Sequence, residues 1–182
     1  MTPSTAEPTL RYDSRTIFLH WLTAALVATL WVLGQTIDWF PKGDPRVVAR
    51  STHMALGVVL LVVLLTRIRW RLSGGSVHLR PAQPGRFDRL AALAHRALYA
   101  LLATTVLLGL TNAWVRGDSV FGLFAIRAFD PADKEFRSMI EDWHELSANV
   151  LLAVALFHAA AGLVHHYLLK DSVLRRMLPL SR

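Results

Sequence analysis

The sequence predicts an all-α integral membrane protein, a four-helix bundle forming one membrane-embedded domain over residues 1–182. Three observations predict it. The chain is 53% hydrophobic and only 18% charged, where a soluble domain carries roughly 25% charge. Four apolar stretches each run to about 20 residues, the length a helix needs to cross a bilayer. Lys and Arg collect in alternate linkers, as they do when successive helices reverse direction through a membrane. The length suits one domain, and no internal repeat or low-complexity segment interrupts it.

The first helix is expected from about Ile17 to Ile37, after a polar tail from Met1 to Thr16. No small-residue cleavage site follows the apolar run, so it reads as a retained helix and not a signal peptide. Pro41, Gly43 and Pro45 then break the chain. The second helix runs from about Val47 to Ile68, and Gly74, Gly75, Pro81, Pro84 and Gly85 mark the linker after it. The third runs from about Leu90 to Val115. In the longest linker, Asp130-Pro131 reads as a helix start, with Asp as cap and Pro in the first turn, and Asp133 and Glu135 suit that turn. The fourth helix, apolar from about Trp143 to Leu169, is therefore expected to begin outside the membrane.

With four spans, both termini and the second linker share one side. That side holds 13 of the 20 Lys and Arg but 4 of the 13 Asp and Glu. The positive-inside rule makes it the cytoplasm. The net charge of +7 is thus a topology signal facing lipid, and no nucleic-acid partner is expected. The chain has no cysteine, which excludes disulfides, c-type haem attachment and cysteine-ligated iron–sulfur clusters. A metal would fall to histidine, carboxylate or methionine.

Eight histidines are available. Ionisable side chains inside a span are costly and usually functional. The interval from His144 to His158 falls just short of four helical turns. The two therefore share a face of the fourth helix and lie about 21 Å apart along it. That stripe offers one imidazole to each leaflet, the arrangement that two metal centres stacked across a membrane require. Low-spin haem with two axial histidines needs a second imidazole at each depth. His53, near the outer end of the second helix, matches His144. His20, near the cytoplasmic start of the first helix, matches His158. His95 on the third helix lies in the same half, and depth leaves its pairing with His20 or His158 open. Gly34 follows His20 by the same interval that separates His144 from His158, and Gly57 stands one turn beyond His53. Both are candidates for the close approach of a flat macrocycle, with plain helix packing as the alternative. His165 falls at the lipid interface, and His78 lies in a linker. A di-iron or zinc site would add carboxylates beside the ligands, and Glu145 is the only acid close by within a span.

The chain resembles the bacterial cytochrome b561 family over nearly its whole length. The resemblance is carried by Ile17-Phe18-Leu19-His20-Trp21, His53-Met54-Ala55-Leu56-Gly57 and Trp143 to Asn149. Leu156-Phe157-His158-Ala159-Ala160-Ala161, His165-His166-Tyr167 and Lys170-Asp171 complete it. The resemblance implies four helices and two haem b groups, with ligands from helices one, two and four. It implies a place in the bacterial inner membrane. Short stand-alone members include a superoxide oxidase that passes electrons to ubiquinone, so the expected activity is that of a superoxide:ubiquinone oxidoreductase. Two other readings stand beside it. One is a cytochrome b subunit serving a dehydrogenase or other redox partner, and the other is a haem-binding anchor or sensor without turnover.

In the first reading, Lys42, Arg46, Arg50 and Arg116 form a positive funnel for superoxide beside His53. His95 and His166, with Tyr99 or the Tyr12–Ser14 region, relay protons to quinone. Arg15, Arg67, Arg69 and Arg96 are inner candidates for haem propionates, each with headgroup contact as the alternative.

Overall fold

A computed structural model of the chain describes residues 11–74, 86–130 and 132–178. Residues expected in the second linker, among them His78, Pro81 and Pro84, lie outside the described set, as does Pro131. The four helices are α1 (Ser14–Thr36), α2 (Asp44–Leu72), α3 (Arg86–Arg116) and α4 (Lys134–Tyr167). Each is long and apolar enough to cross a membrane. A 3-10 turn, Ile37–Trp39, follows α1. A short hairpin, β1 (Ser119–Val120) against β2 (Phe124–Ala125), lies between α3 and α4.

The helices run longer than their apolar stretches because polar residues form their ends. Asp13 caps α1, its carboxylate accepting from the Thr16 N–H at 2.9 Å and the Thr16 hydroxyl at 2.6 Å. Burial pushes that carboxyl up, but the hydrogen bonds to it, those from Thr16 foremost, together outweigh burial and hold it below the usual carboxylate value. Pro45 sits in the first turn of α2, where its missing N–H has no helical partner to lose. The expected start of α4 at Asp130-Pro131 is corrected. Asp133 is the cap, accepting from the Phe136 N–H at 2.8 Å. Asp130 instead closes a turn ahead of it by accepting from the Ala132 N–H at 2.9 Å. With 34 residues, α4 extends to about 51 Å, beyond a hydrocarbon core of about 30 Å.

Each helix packs on its neighbours in sequence, and α1 closes against α4. The core is a slab of Leu26, Leu30, Leu60, Val63, Leu64, Leu102, Val106 and Leu151 at mid-length. Large apolar side chains such as Phe157, 77% exposed, cover the outside, as lipid solvation requires. The start of α1 and the segment after α4 meet at one end of the bundle. Trp21 Nε1 donates to the Met177 carbonyl at 2.8 Å, and the Tyr12 N–H donates to the Arg176 carbonyl at 3.3 Å.

At the opposite end, α3 stops in a Schellman turn. The Asp118 N–H reaches back to the Ala113 carbonyl and the Gly117 N–H to that of Trp114, both at 3.3 Å. Gly117 has φ +67°, and a Cβ there would lie 2.8 Å from the Ala128 Cβ. The hairpin reverses through Phe121 and Gly122, at φ 51° and 71°, a combination costly for phenylalanine. Ser51 of α2, fully buried, holds the turn. Its hydroxyl donates to the Ser119 carbonyl at 3.1 Å and accepts from the Phe121 N–H at 2.8 Å. Ser51→Ala leaves both hairpin groups unpaired and is expected to cost about 1–3 kcal/mol. Hydrogen exchange should quicken at residues 119–125 while mid-helix amides keep their protection.

Candidate metal centres between the helices

A cavity of about 500 Å³ opens among the four helices at the end away from the termini, within the range of about 300–1,000 Å³ usual for small-molecule and cofactor sites. His53 and His144 face each other there, ring centroids 6.2 Å apart and planes at 89°. Metal–imidazole bonds of about 2 Å put two imidazoles on opposite sides of one metal at a centroid separation of about 6 Å. His144 Nδ1 lies 3.1 Å from the Thr105 carbonyl. A carbonyl only accepts, so Nδ1 carries the proton and the Nε2 lone pair is left for a metal. His53 Nδ1 is buried and, among the described residues, has no hydrogen-bond partner.

Glycines give these rings their room. A Cβ on Gly109 of α3 would lie 2.9 Å from His144 Cε1, so the ring holds its place only because that residue is glycine. A Cβ on Gly34 of α1 would touch His53 Cε1 at 3.4 Å. Gly57 also lines the cavity, and a Cβ there would point into open space. The chemistry of the donor set thus suits an iron porphyrin: paired imidazoles, small residues flanking a wide gap, and, among the described residues, no group of three or more His, Asp or Glu side chains gathered to hold a bare metal ion.

The second cluster lies toward the termini. His20 and His158 have centroids 6.3 Å apart, and His95 lies 5.2 Å from His158. All three inner histidines therefore meet, and their separations differ. The first matches two ligands across one metal, and the second is about 1 Å shorter than that geometry asks. Arg67 and Arg71 stand over the Tyr99 ring at 5.3 and 5.9 Å. His166 stacks edge-on against Tyr167 at 4.7 Å, and its Nδ1 is buried without a partner among the described residues. His165 Nδ1 meets Asp171 Oδ2 at 2.5 Å. Burial raises the Asp171 carboxyl, while the bonds from His165 and the Val173 N–H more than offset it and hold the group low.

The four outer cations separate into two groups. Arg50 and Arg116 line the outer cavity and converge on Asp118, each at 3.4 Å, and Arg116 also pairs with Glu141 at 2.7 Å. Arg46 is turned onto Asp38 at 3.1 Å and the Phe40 carbonyl at 2.7 Å. Lys42 is exposed and makes no ion pair among the described residues. Neither Lys42 nor Arg46 lines the cavity. Of the inner candidates, Arg15 and Arg69 line a separate groove between α1 and α2.

Sequence reasoning passes over Gly109 and Thr105. A signal for Gly109 exists: it follows His95 by the same interval by which Gly34 follows His20. Thr105 acts through its carbonyl, which any residue supplies, so its identity carries no signal.

The family described as prokaryotic cytochrome b561 matches residues 11–180. The chain is 33% identical over 173 residues to cytochrome b561 homolog 1 of Escherichia coli strain K12, covering 93% of this chain and 97% of that protein. It is 30% identical over 175 residues to the probable superoxide oxidase CybB of Yersinia pestis, covering 94% and 98%. It is 32% identical over 172 residues to cytochrome b562 of Cereibacter sphaeroides, covering 92% and 94%.

Gly109→Val is expected to drive the His144 ring off the Thr105 carbonyl. The purified variant should hold less haem per chain than the wild type, measured by the pyridine haemochrome. Gly162→Ala, whose Cβ meets nothing within 4 Å, should hold as much as the wild type.

Proposed function

Because the chain belongs to the prokaryotic cytochrome b561 family, whose members are transmembrane haem proteins of electron transport, we propose that it is a single-domain di-haem cytochrome of the bacterial inner membrane that oxidises superoxide at the periplasmic face and reduces ubiquinone. The observation that carries the two-haem reading is the pair of imidazole separations, 6.2 Å for His53 with His144 and 6.3 Å for His20 with His158. His53 and His144 are the outer iron ligands, His20 and His158 the inner ones, with Gly34, Gly57 and Gly109 beside the outer porphyrin. Haem b, when bound, supplies reversible one-electron chemistry at each depth.

Both termini are assigned to the cytoplasm. The contact of Tyr12 and Trp21 with Arg176 and Met177 supports a shared side for the two terminal segments, and the excess of Lys and Arg at that end supports the cytoplasm as that side. The superoxide reading draws support from the relative in Yersinia pestis and from the outer cavity. Two superoxide anions give up one electron each and leave as oxygen, and ubiquinone takes up two electrons and two protons. An anion approaching the cavity meets Arg50 and Arg116. Asp118 and Glu141 hold these guanidinium groups in position and moderate their charge. Lys42 adds a further charge outside the cavity. At the other end, His95 lies against His158 at 5.2 Å, closer than the 6.3 Å between His20 and His158. It is assigned to quinone protonation, with His166 as a second relay.

Three outcomes test these assignments. His53→Ala and His158→Ala should each lose one of two haem centres in the reduced-minus-oxidised spectrum. His95→Gln should keep both centres and slow quinone reduction, and loss of an inner centre would make His95 the ligand in place of His20. Replacing Arg50 by Gln, alone and with Arg116→Gln, should lower the second-order rate with superoxide about tenfold or more and flatten its dependence on ionic strength. An unchanged rate and salt slope would remove the funnel. Two intact haems with no superoxide-dependent quinone reduction in the wild type would leave a membrane cytochrome with another electron donor.

A further inference from the structure

A groove of about 700 Å³ lies on the outside of the bundle, between the first turns of α1 and the last turns of α2. Ser14, Arg15, Arg69 and Ser73 form its polar end, and Phe18 and Leu19 lie among its apolar lining. None of His20, His95 or His158 lines it. Arg15 stands over the Trp70 ring at 4.8 Å. The Arg69 guanidinium makes no hydrogen bond or ion pair among the described residues, and neither guanidinium is paired with a carboxylate there. The nearest acid in sequence, Asp13, is engaged as the α1 cap.

The end of α2 explains how the charges sort. Arg67, Arg69 and Arg71 alternate, so Arg69 projects about 160° away from both Arg67 and Arg71. Arg67 and Arg71 are engaged over Tyr99 of α3. Arg69 is left on the α1 side, where Arg15 meets it across the groove. The positive N-terminus of α1 and the negative C-terminus of α2 lie side by side there and offset each other, so the positive charge of the groove rests on the two guanidinium groups.

Two guanidinium groups with hydroxyls beside them, at the end of two membrane helices, bind a phosphate in bidentate fashion. Apolar side chains one turn deeper add a place for a hydrocarbon chain. A free inorganic anion leaves Phe18, which is 64% exposed, uncovered, and a neutral headgroup leaves the charge uncompensated. We propose that this groove is a binding site for the phosphate of an anionic membrane phospholipid, held by Arg15 and Arg69, with an acyl chain laid over Phe18 and Leu19.

The test uses native mass spectrometry of the haem-loaded, full-length protein after delipidation in detergent. Phosphatidylglycerol and phosphatidylcholine are offered in equal amounts, with inorganic phosphate and a short-chain ubiquinone as separate competitors. The wild type should retain one phosphatidylglycerol in preference to phosphatidylcholine. With Arg15→Gln and Arg69→Gln combined, that retention should weaken about thirtyfold, from the interaction expected of two cations near a charged surface. The paired Lys replacements, which keep the charge, should recover most of it. The wild-type preference needs no variant, so a poorly folding double Gln chain leaves a decisive measurement. Equal retention of the two lipids by the wild type would overturn the proposal, as would an undiminished preference in a folded double Gln variant. Displacement of the lipid by inorganic phosphate would make the groove a free-anion site, and displacement by the ubiquinone a quinone pocket.

Discussion

An imidazole is expensive to leave in the middle of a bundle whose solvent is lipid, and this bundle carries His20, His53, His95, His144 and His158 in two layers. A buried polar group without a partner costs about 1–3 kcal/mol by mutational measures. His53 Nδ1 is such a group among the described residues. A chain that only needed packing would fill those layers with leucine, as it does between them, where Leu26, Leu30, Leu60, Leu64, Leu102 and Leu151 form the core. The apolar slab and the two polar layers are one design. The slab supplies the helix-to-helix packing that keeps the layers in register, and the layers stand where that packing is interrupted.

The register comes from one step along the chain, just short of four helical turns. Each helix uses it once. On α1 it separates His20 from Gly34, on α2 His53 from Arg67, on α3 His95 from Gly109, and on α4 His144 from His158. The outer layer therefore alternates Gly34, His53, Gly109 and His144 around the bundle. Each glycine faces the histidine of the next helix, Gly34 toward His53 and Gly109 toward His144. This arithmetic makes the site largely legible in the sequence. Spans, histidine depths and shared faces follow from rise and rotation alone. Gly109 escapes because it is one small residue among many on an apolar helix, and only the position of the His144 ring shows what a methyl group there would strike.

What stays hidden depends on chain segments that return from a distance. The third linker reads as loop, yet it folds back as a hairpin whose turn is held by Ser51, 70 residues earlier in the chain. A two-residue strand leaves no alternation to detect, and Phe121 at positive φ contradicts its propensity. The same return brings Asp118 between Arg50 and Arg116. Counting charges per linker sees an acidic outer side. It does not see that one acid is placed where two guanidinium groups already meet, or that Arg46 is drawn away by Asp38 in the turn beside it. The start of α4 is misplaced for a related reason. Asp130 and Asp133 are both competent caps by type, and the first is used in its own turn with the Ala132 N–H.

The inner layer departs from the alternation, and the departure bears on the pairing that depth leaves open. In the outer layer the two imidazoles stand on α2 and α4, diagonal across the ring of helices. The same diagonal in the inner layer holds His158 on α4 and Arg67 on α2, and an arginine, always protonated, offers no lone pair to a metal. A second inner ligand has to come from α1 or α3, both of which carry a histidine at that step. The ring separations part them. At 6.3 Å, His20 stands from His158 almost as His53 stands from His144 at 6.2 Å, whereas His95 is at 5.2 Å. On the proposed reading, two layers built by one step would share one ligand spacing, and His20 would be the residue that supplies it. On that reading His95 would be an unligated imidazole beside the proposed inner haem, with Tyr99 on its own helix and Arg67 and Arg71 above the Tyr99 ring. A group so placed has the reach and the chemistry to pass a proton, which a buried ligand has not.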